Sequence, residues 1–138
     1  MERERLAAIQ LFADLSDGEL DALVGVAREL ELEEGETLAQ EGDFGHCIFA
    51  IESGTALVRR GDETLGSVGP GDVVGEIAVL ASGRRSATVV ATSPLRALSF
   101  FKRDVWALGE QAPEASRRLR ELIATREAAG SLTASTPE

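Results

Sequence analysis

The sequence predicts a mainly β fold with flanking helices: a double-stranded β-helix, or jelly-roll barrel, preceded by N-terminal helices and followed by two C-terminal helices. Three observations point there. Short extended stretches between Leu30 and Phe100 are broken by glycine corners at the close spacing of a β-barrel or jelly roll. Before them, Leu20, Leu23, Val24 and Ala27 recur at helical spacing. After them, Leu119, Leu122 and Ile123 share one helical face.

Leu6, Ile9 and Gln10 fit a short first helix. Ser16-Asp17-Gly18-Glu19 reads as a capping box, in which Ser16 accepts from the Glu19 N–H while Glu19 reaches back to the Ser16 N–H. Leu15 and Leu20 stand where a hydrophobic staple needs them, and the helix so opened is expected over about Asp17 to Arg28. Extended stretches follow at Leu30 to Leu32, Thr37 to Gln40 and Cys47 to Glu52, then at Ala56 to Arg59 and Glu63 to Leu65 across a Gly61-Asp62 turn. Gly69-Pro70-Gly71 and Gly75 make further corners before Thr88 to Ala91 and Leu95 to Phe100, where the barrel is expected to close. Lys102 to Gln111, with Val105, Trp106 and Leu108, reads as the first C-terminal helix, and Pro113 suits the first turn of the last one.

One domain of 138 residues is expected, in four parts: helices over 1–29, the barrel over 30–101, helices over 102–129 and a flexible Ser/Thr-rich tail over 130–138. Apolar residues at 43% and charged residues at 28% are the balance of an ordinary globular protein. No apolar stretch reaches the roughly 20 residues that cross a bilayer, and Met1 to Arg5 is too charged for a signal sequence, so the expected location is cytoplasmic with no membrane partner. The single Cys47, read as a small buried hydrophobe, rules out an internal disulfide and a cysteine-built metal site. A net charge of −10 argues against nucleic acid as a partner. The acid is uneven: Met1 to Ala56 holds fourteen Asp and Glu against three Arg.

The run Gly75 to Thr88, GEIAVLASGRRSAT, stands out against that background. Gly75 clears room for a close backbone approach, and Glu76 to Leu80 can open a short helix whose first N–H groups are unpaired and attract an anion. A turn at Ala81 to Gly83 then returns Arg84 and Arg85 toward that helix start, adding a guanidinium fork. Ser86, Ala87 and Thr88 lead into the strand that continues with Val89 and Val90.

Roughly Leu11 to Ala129 resembles the cyclic-nucleotide-binding domain, the family of cAMP-dependent kinase regulatory subunits and catabolite activators. Three pieces carry the resemblance: Gly35-Glu36-Thr37-Leu38 with Glu41-Gly42-Asp43 and Gly45; Phe49-Ala50-Ile51-Glu52-Ser53-Gly54; and Gly69-Pro70-Gly71-Asp72 running into Gly75 to Thr88, which looks like the family's phosphate-binding cassette. The resemblance implies that Glu76 accepts the ribose 2′-hydroxyl and Arg85 pairs with the cyclic phosphate. Gly75, Ile77 and Ala78 would add backbone contacts, Ser86 a hydroxyl and Ala87 its N–H. Two positions depart from the family pattern: Val74 stands where phenylalanine is usual and Arg84 where many members have proline. Serine after the cassette arginine leans toward cAMP over cGMP. Purine contacts are expected from the last helix, where Arg118, Leu122, Thr125 or Arg126 can reach the base, while Trp106 is read as core.

These roles are physically coherent. A cyclic phosphodiester and Glu76 about 6 Å apart repel by about 3 kcal/mol at an effective dielectric of about 20, and Arg85 offsets that repulsion best because its planar donors match two phosphate oxygens.

The expected function is therefore a stand-alone regulatory sensor for cAMP, or cGMP, with no other cofactor. It would signal by movement of the C-terminal helices to a protein partner or a homodimer through the terminal helices. The alternative is a ligand-free structural or interaction module of the same fold. An enzyme is not expected: a metal-dependent barrel enzyme commonly needs several converging histidines, and this chain has one, His46, read as a surface or turn residue. None of Ser82, Ser86 and Ser99 has a histidine base placed for nucleophilic work.

Overall fold

The computed structural model describes residues 1–40, 47–74 and 87–128, with residues 102, 105, 106, 120 and 122–128 described by their backbone alone. The chain begins with α1 (Arg3–Ala7), a 3-10 turn at Gln10–Phe12 and α2 (Asp17–Val24). Ser16 caps α2, its Oγ accepting from the Glu19 N–H at 3.3 Å. The other half of the expected capping box is not made. The Glu19 carboxylate accepts from the Ala115 N–H at 2.9 Å, so it caps the last helix instead of its own. That helix, α4 (Pro113–Ala128), starts on a proline with no N–H to donate, and Ala115 carries one of the orphan donors of its first turn.

α2 ends at Val24, short of the expected Arg28, and Arg28 already opens β1 (Arg28–Leu32). Gly25 is a poor helix former, and the N–H groups of Val26 and Ala27 both turn back to Leu23 O. Val24, Val26 and Ala27 still pack against the core under the helices, which is why their spacing imitates a longer helix.

The remaining strands are β2 (Thr37–Ala39), β3 (Cys47–Ser53), β4 (Ala56–Arg60), β5 (Glu63–Val68), β6 (Val73–Val74), β7 (Thr88–Ala91) and β8 (Leu95–Phe101), followed by α3 (Lys102–Ala107) and α4. They form two four-stranded antiparallel sheets, ordered β1-β8-β3-β6 and β2-β7-β4-β5. Among the described residues no ladder joins the sheets, which lie face to face in the expected jelly-roll arrangement. The corner between β3 and β4 depends on Gly54: its φ is +88°, and a Cβ there would lie 2.2 Å from the Pro94 carbonyl oxygen.

The β1-β8-β3-β6 sheet is the middle layer, and the two-residue period of its strands divides the core. On β3, Ile48 and Ala50 face the helices while Phe49 and Ile51 face the other sheet; on β8, Leu98 and Phe100 oppose Leu95 and Ala97 in the same way. Leu6, Ile9, Phe12, Leu20, Leu23 and Leu119 fill the helical side, where Phe12 meets Phe100 edge to face at 6.1 Å. Cys47 is half-buried at the edge of the inter-sheet core, not fully buried as expected.

Candidate ligand site

Both ends of the Gly75 to Thr88 run are fixed by the sheets. The turn Gly69-Pro70-Gly71-Asp72 closes on itself through the Asp72 carboxylate, which accepts from the Gly69 N–H at 2.8 Å. It is stitched to β3 by Gly71 N–H to Ile51 O (2.8 Å) and Ile51 N–H to Asp72 O (2.9 Å). This sets β6, where Val74 is paired with Phe49 and fully buried. The family's usual phenylalanine is replaced here by a smaller side chain that still faces the inter-sheet core.

On the far side, Thr88 pairs with Arg59 and Val89 with Val58, placing β7 inside the second sheet between β2 and β4. The run therefore leads from an edge of one sheet to an interior strand of the other. Gly75, Glu76, Ile77, Ala78, Arg84, Arg85 and Ser86 lie outside the described residues. Ala87 is described: it is buried and faces the inter-sheet core with Val89 and Ala91. Gln40 Nε2 donates to Thr88 Oγ1 at 3.4 Å, tying the end of β2 to the exit of the run.

Leu122, Thr125 and Arg126 lie on α4, whose backbone alone is described there, and the side chain of Trp106 is likewise outside the description. Arg118 is described, and its guanidinium is engaged with the N-terminal segment and with its own helix. Its guanidinium donates to the Leu11 carbonyl at 3.0 Å, to Asp14 Oδ1 at 2.5 Å and to Glu114 Oε2 at 2.9 Å. Hydrogen bonding from Arg118 holds the Asp14 carboxyl below its usual range, and Arg117 followed by Arg118 pushes Glu114 down to about 2. Together with the Glu19 cap, this clamp joins the start of α4 to the N-terminal segment. Sequence spacing cannot reveal it, because Glu19 and Ala115 are 96 residues apart.

A further charged residue passed unnoticed in the sequence. Arg60, at the end of β4, is half-buried, and its Nε is buried with no hydrogen-bond partner among the described residues. The signal was there: β4 alternates Ala56, Val58, Arg60 on the inward positions, so an arginine occupies a place the pattern reserves for apolar residues.

No helix among the described residues is long and apolar enough to cross a membrane. Comparison with known proteins draws these features together. Residues 29–112 match the family described as the cyclic nucleotide-binding domain, a span that includes the whole run between β6 and β7. The cyclic AMP receptor protein of Thermus thermophilus is 31% identical over 121 residues, covering 84% of this chain and 56% of that protein. The cAMP-dependent protein kinase regulatory subunit of Hypocrea atroviridis is 30% identical over 97 residues, covering 70% of this chain and 21% of that one. The chain thus spans less than two thirds of the length of these relatives. The crystal structure of the Thermus thermophilus catabolite activator protein superposes with a TM-score of 0.77 at 29% identity, over 87% of this chain and 59% of that one. By sequence and by fold, this chain belongs to the cyclic nucleotide-binding domain family.

Proposed function

We propose that the chain is a regulatory, non-catalytic module that binds cAMP between its sheets, with Arg85 on the cyclic phosphate and Glu76 on the ribose. Gly75, Ile77, Ala78, Ser86 and Ala87 complete the cradle. The observation that carries this reading is the family match across residues 29–112, within which this chain keeps both the glutamate and the arginine of the cassette. Ser86 leans this reading toward cAMP over cGMP, while relatives named for either nucleotide are similar to this chain. Among the described residues, nine of the thirteen buried members of the inter-sheet core that includes Ala87 are Ala or Val, against a helical side richer in Leu, Ile and Phe.

Signalling follows from where the last helix is anchored. A ligand that prefers one position of α4 shifts the population of that position by its difference in affinity. Through Glu19 and Arg118, the start of α4 and the N-terminal segment respond together. The receiver is a protein partner or a second copy of the chain meeting the terminal helices.

A thermal-shift titration with cAMP and cGMP tests the binding. At about 100 times its dissociation constant the ligand stabilises the fold by about 2.7 kcal/mol. A larger shift with cAMP is expected, and no shift with either nucleotide favours the ligand-free module instead.

A further inference from the structure

We infer that Arg60 is a second cationic contact for the bound anion, reaching the phosphate end of the ligand from β4. This rests on the cyclic-nucleotide reading above. The register carries it. β4 and β7 pair as Ala56 with Ala91, Leu57 with Val90, Val58 with Val89 and Arg59 with Thr88. Extended one residue past the end of that ladder, the register sets Arg60 opposite Ala87, and directly opposed residues share a face of the sheet. Ala87 faces the inter-sheet core. Arg60 therefore lies on the interior side, next to the residue that follows Arg85 and Ser86 in the chain.

The state of the side chain fits a site built for an anion. A guanidinium N–H cut off from water without an acceptor is costly, and buried donors are nearly always satisfied. Arg60 Nε is such a donor. Glu63 is its register partner across the Gly61-Asp62 turn, yet among the described residues no ion pair joins the two. Arg59, its neighbour in the chain, is exposed on the opposite face. An apolar residue would serve the fold better at position 60, so the arginine is explained by what it meets when the site is filled. A planar fork suits a phosphodiester, which offers it two free oxygens.

The test measures two quantities on the same proteins: cAMP affinity by calorimetry and unfolding temperature without ligand. Arg60→Met is expected to raise the dissociation constant about 10- to 100-fold, the scale of a lost hydrogen bond to a charged group. The same variant should melt at or above the temperature of the unaltered protein, because it removes an unsatisfied buried donor. Arg60→Lys should fall between the two in affinity, and Arg59→Met should bind as the unaltered protein does. Unchanged cAMP affinity in Arg60→Met overturns the inference and leaves the cyclic-nucleotide reading standing. Weaker binding accompanied by a lower unfolding temperature also overturns it, since Arg60 would then be a structural prop. Failure of the unaltered protein to bind cAMP or cGMP overturns both.

Discussion

The two faces of the β1-β8-β3-β6 sheet are filled by different side chains. Among the described residues, ten of the fourteen buried apolar residues toward the helices are Leu, Ile or Phe; toward the other sheet, nine of thirteen are Ala or Val. The helical face is also tied by long-range polar contacts, Glu19 to Ala115 and Arg118 to Asp14 and Leu11. On the inter-sheet side, β4 instead ends in Arg60, whose buried Nε has no hydrogen-bond partner among the described residues. Bulk and tight ties hold the fold together on one side, while small side chains and an unmet donor on the other suit a face completed by a ligand.

Substitutions in the packed core of the helical face, away from the polar anchors of α4, should therefore cost stability and spare binding. Phe12→Ala removes a fully buried ring that meets Phe100 edge to face, and a loss of about 3–5 kcal/mol is expected in chemical denaturation. Should cAMP affinity of the folded fraction fall in parallel, the separation of the two faces is wrong. Glu19→Ala strips the distant cap from α4 and should cost about 1–2 kcal/mol, whereas Glu19→Gln keeps an acceptor oxygen and should cost less. Equal losses in the two variants would show that charge, not capping, ties the helices.

Ser116 blurs the contrast, because its buried hydroxyl on α4 has no hydrogen-bond partner. Ser116→Ala is expected to stabilise the protein by about 1 kcal/mol, and a loss of stability would reveal a use for that hydroxyl. The smallest effect is electrostatic. Arg5 donates to both Glu52 oxygens at 2.8 and 2.7 Å and holds that carboxyl below its usual range, mainly by hydrogen bonding and against the effect of burial. A carboxyl depressed in the folded state contributes stability above its unfolded pKa and loses it as pH falls through the folded value. Stability should therefore decline on acidification below about pH 5, and Glu52→Gln should flatten that part of the profile. An unchanged slope in Glu52→Gln assigns the acid sensitivity to other carboxylates.

Strand positions were largely legible in the sequence because glycine marks the corners and each strand carries its own period. The exception, Val73–Val74, is too short for a period to show. Helix limits were less legible: Ala27 fits a helical stripe equally well when the chain has left the helix at Gly25 and it merely packs against the same core. Long-range polar partners were not legible. Glu19 satisfied a local capping rule yet caps α4, and Arg118, expected near the base, is held by Asp14 and the Leu11 carbonyl. The candidate site was legible as a motif because glycine, glutamate and arginine fall at fixed spacing in one run. Arg60 was not, since it is brought beside that run only by pairing of β4 with β7.

The central claim is that Arg85 holds a cyclic phosphate, and calorimetric titration of cAMP into the unaltered protein and into Arg85→Ala tests it most directly. The account predicts one site per chain and a loss in the variant of about 2–4 kcal/mol, because a buried negative charge loses its partner. Equal affinity in the two proteins would contradict it.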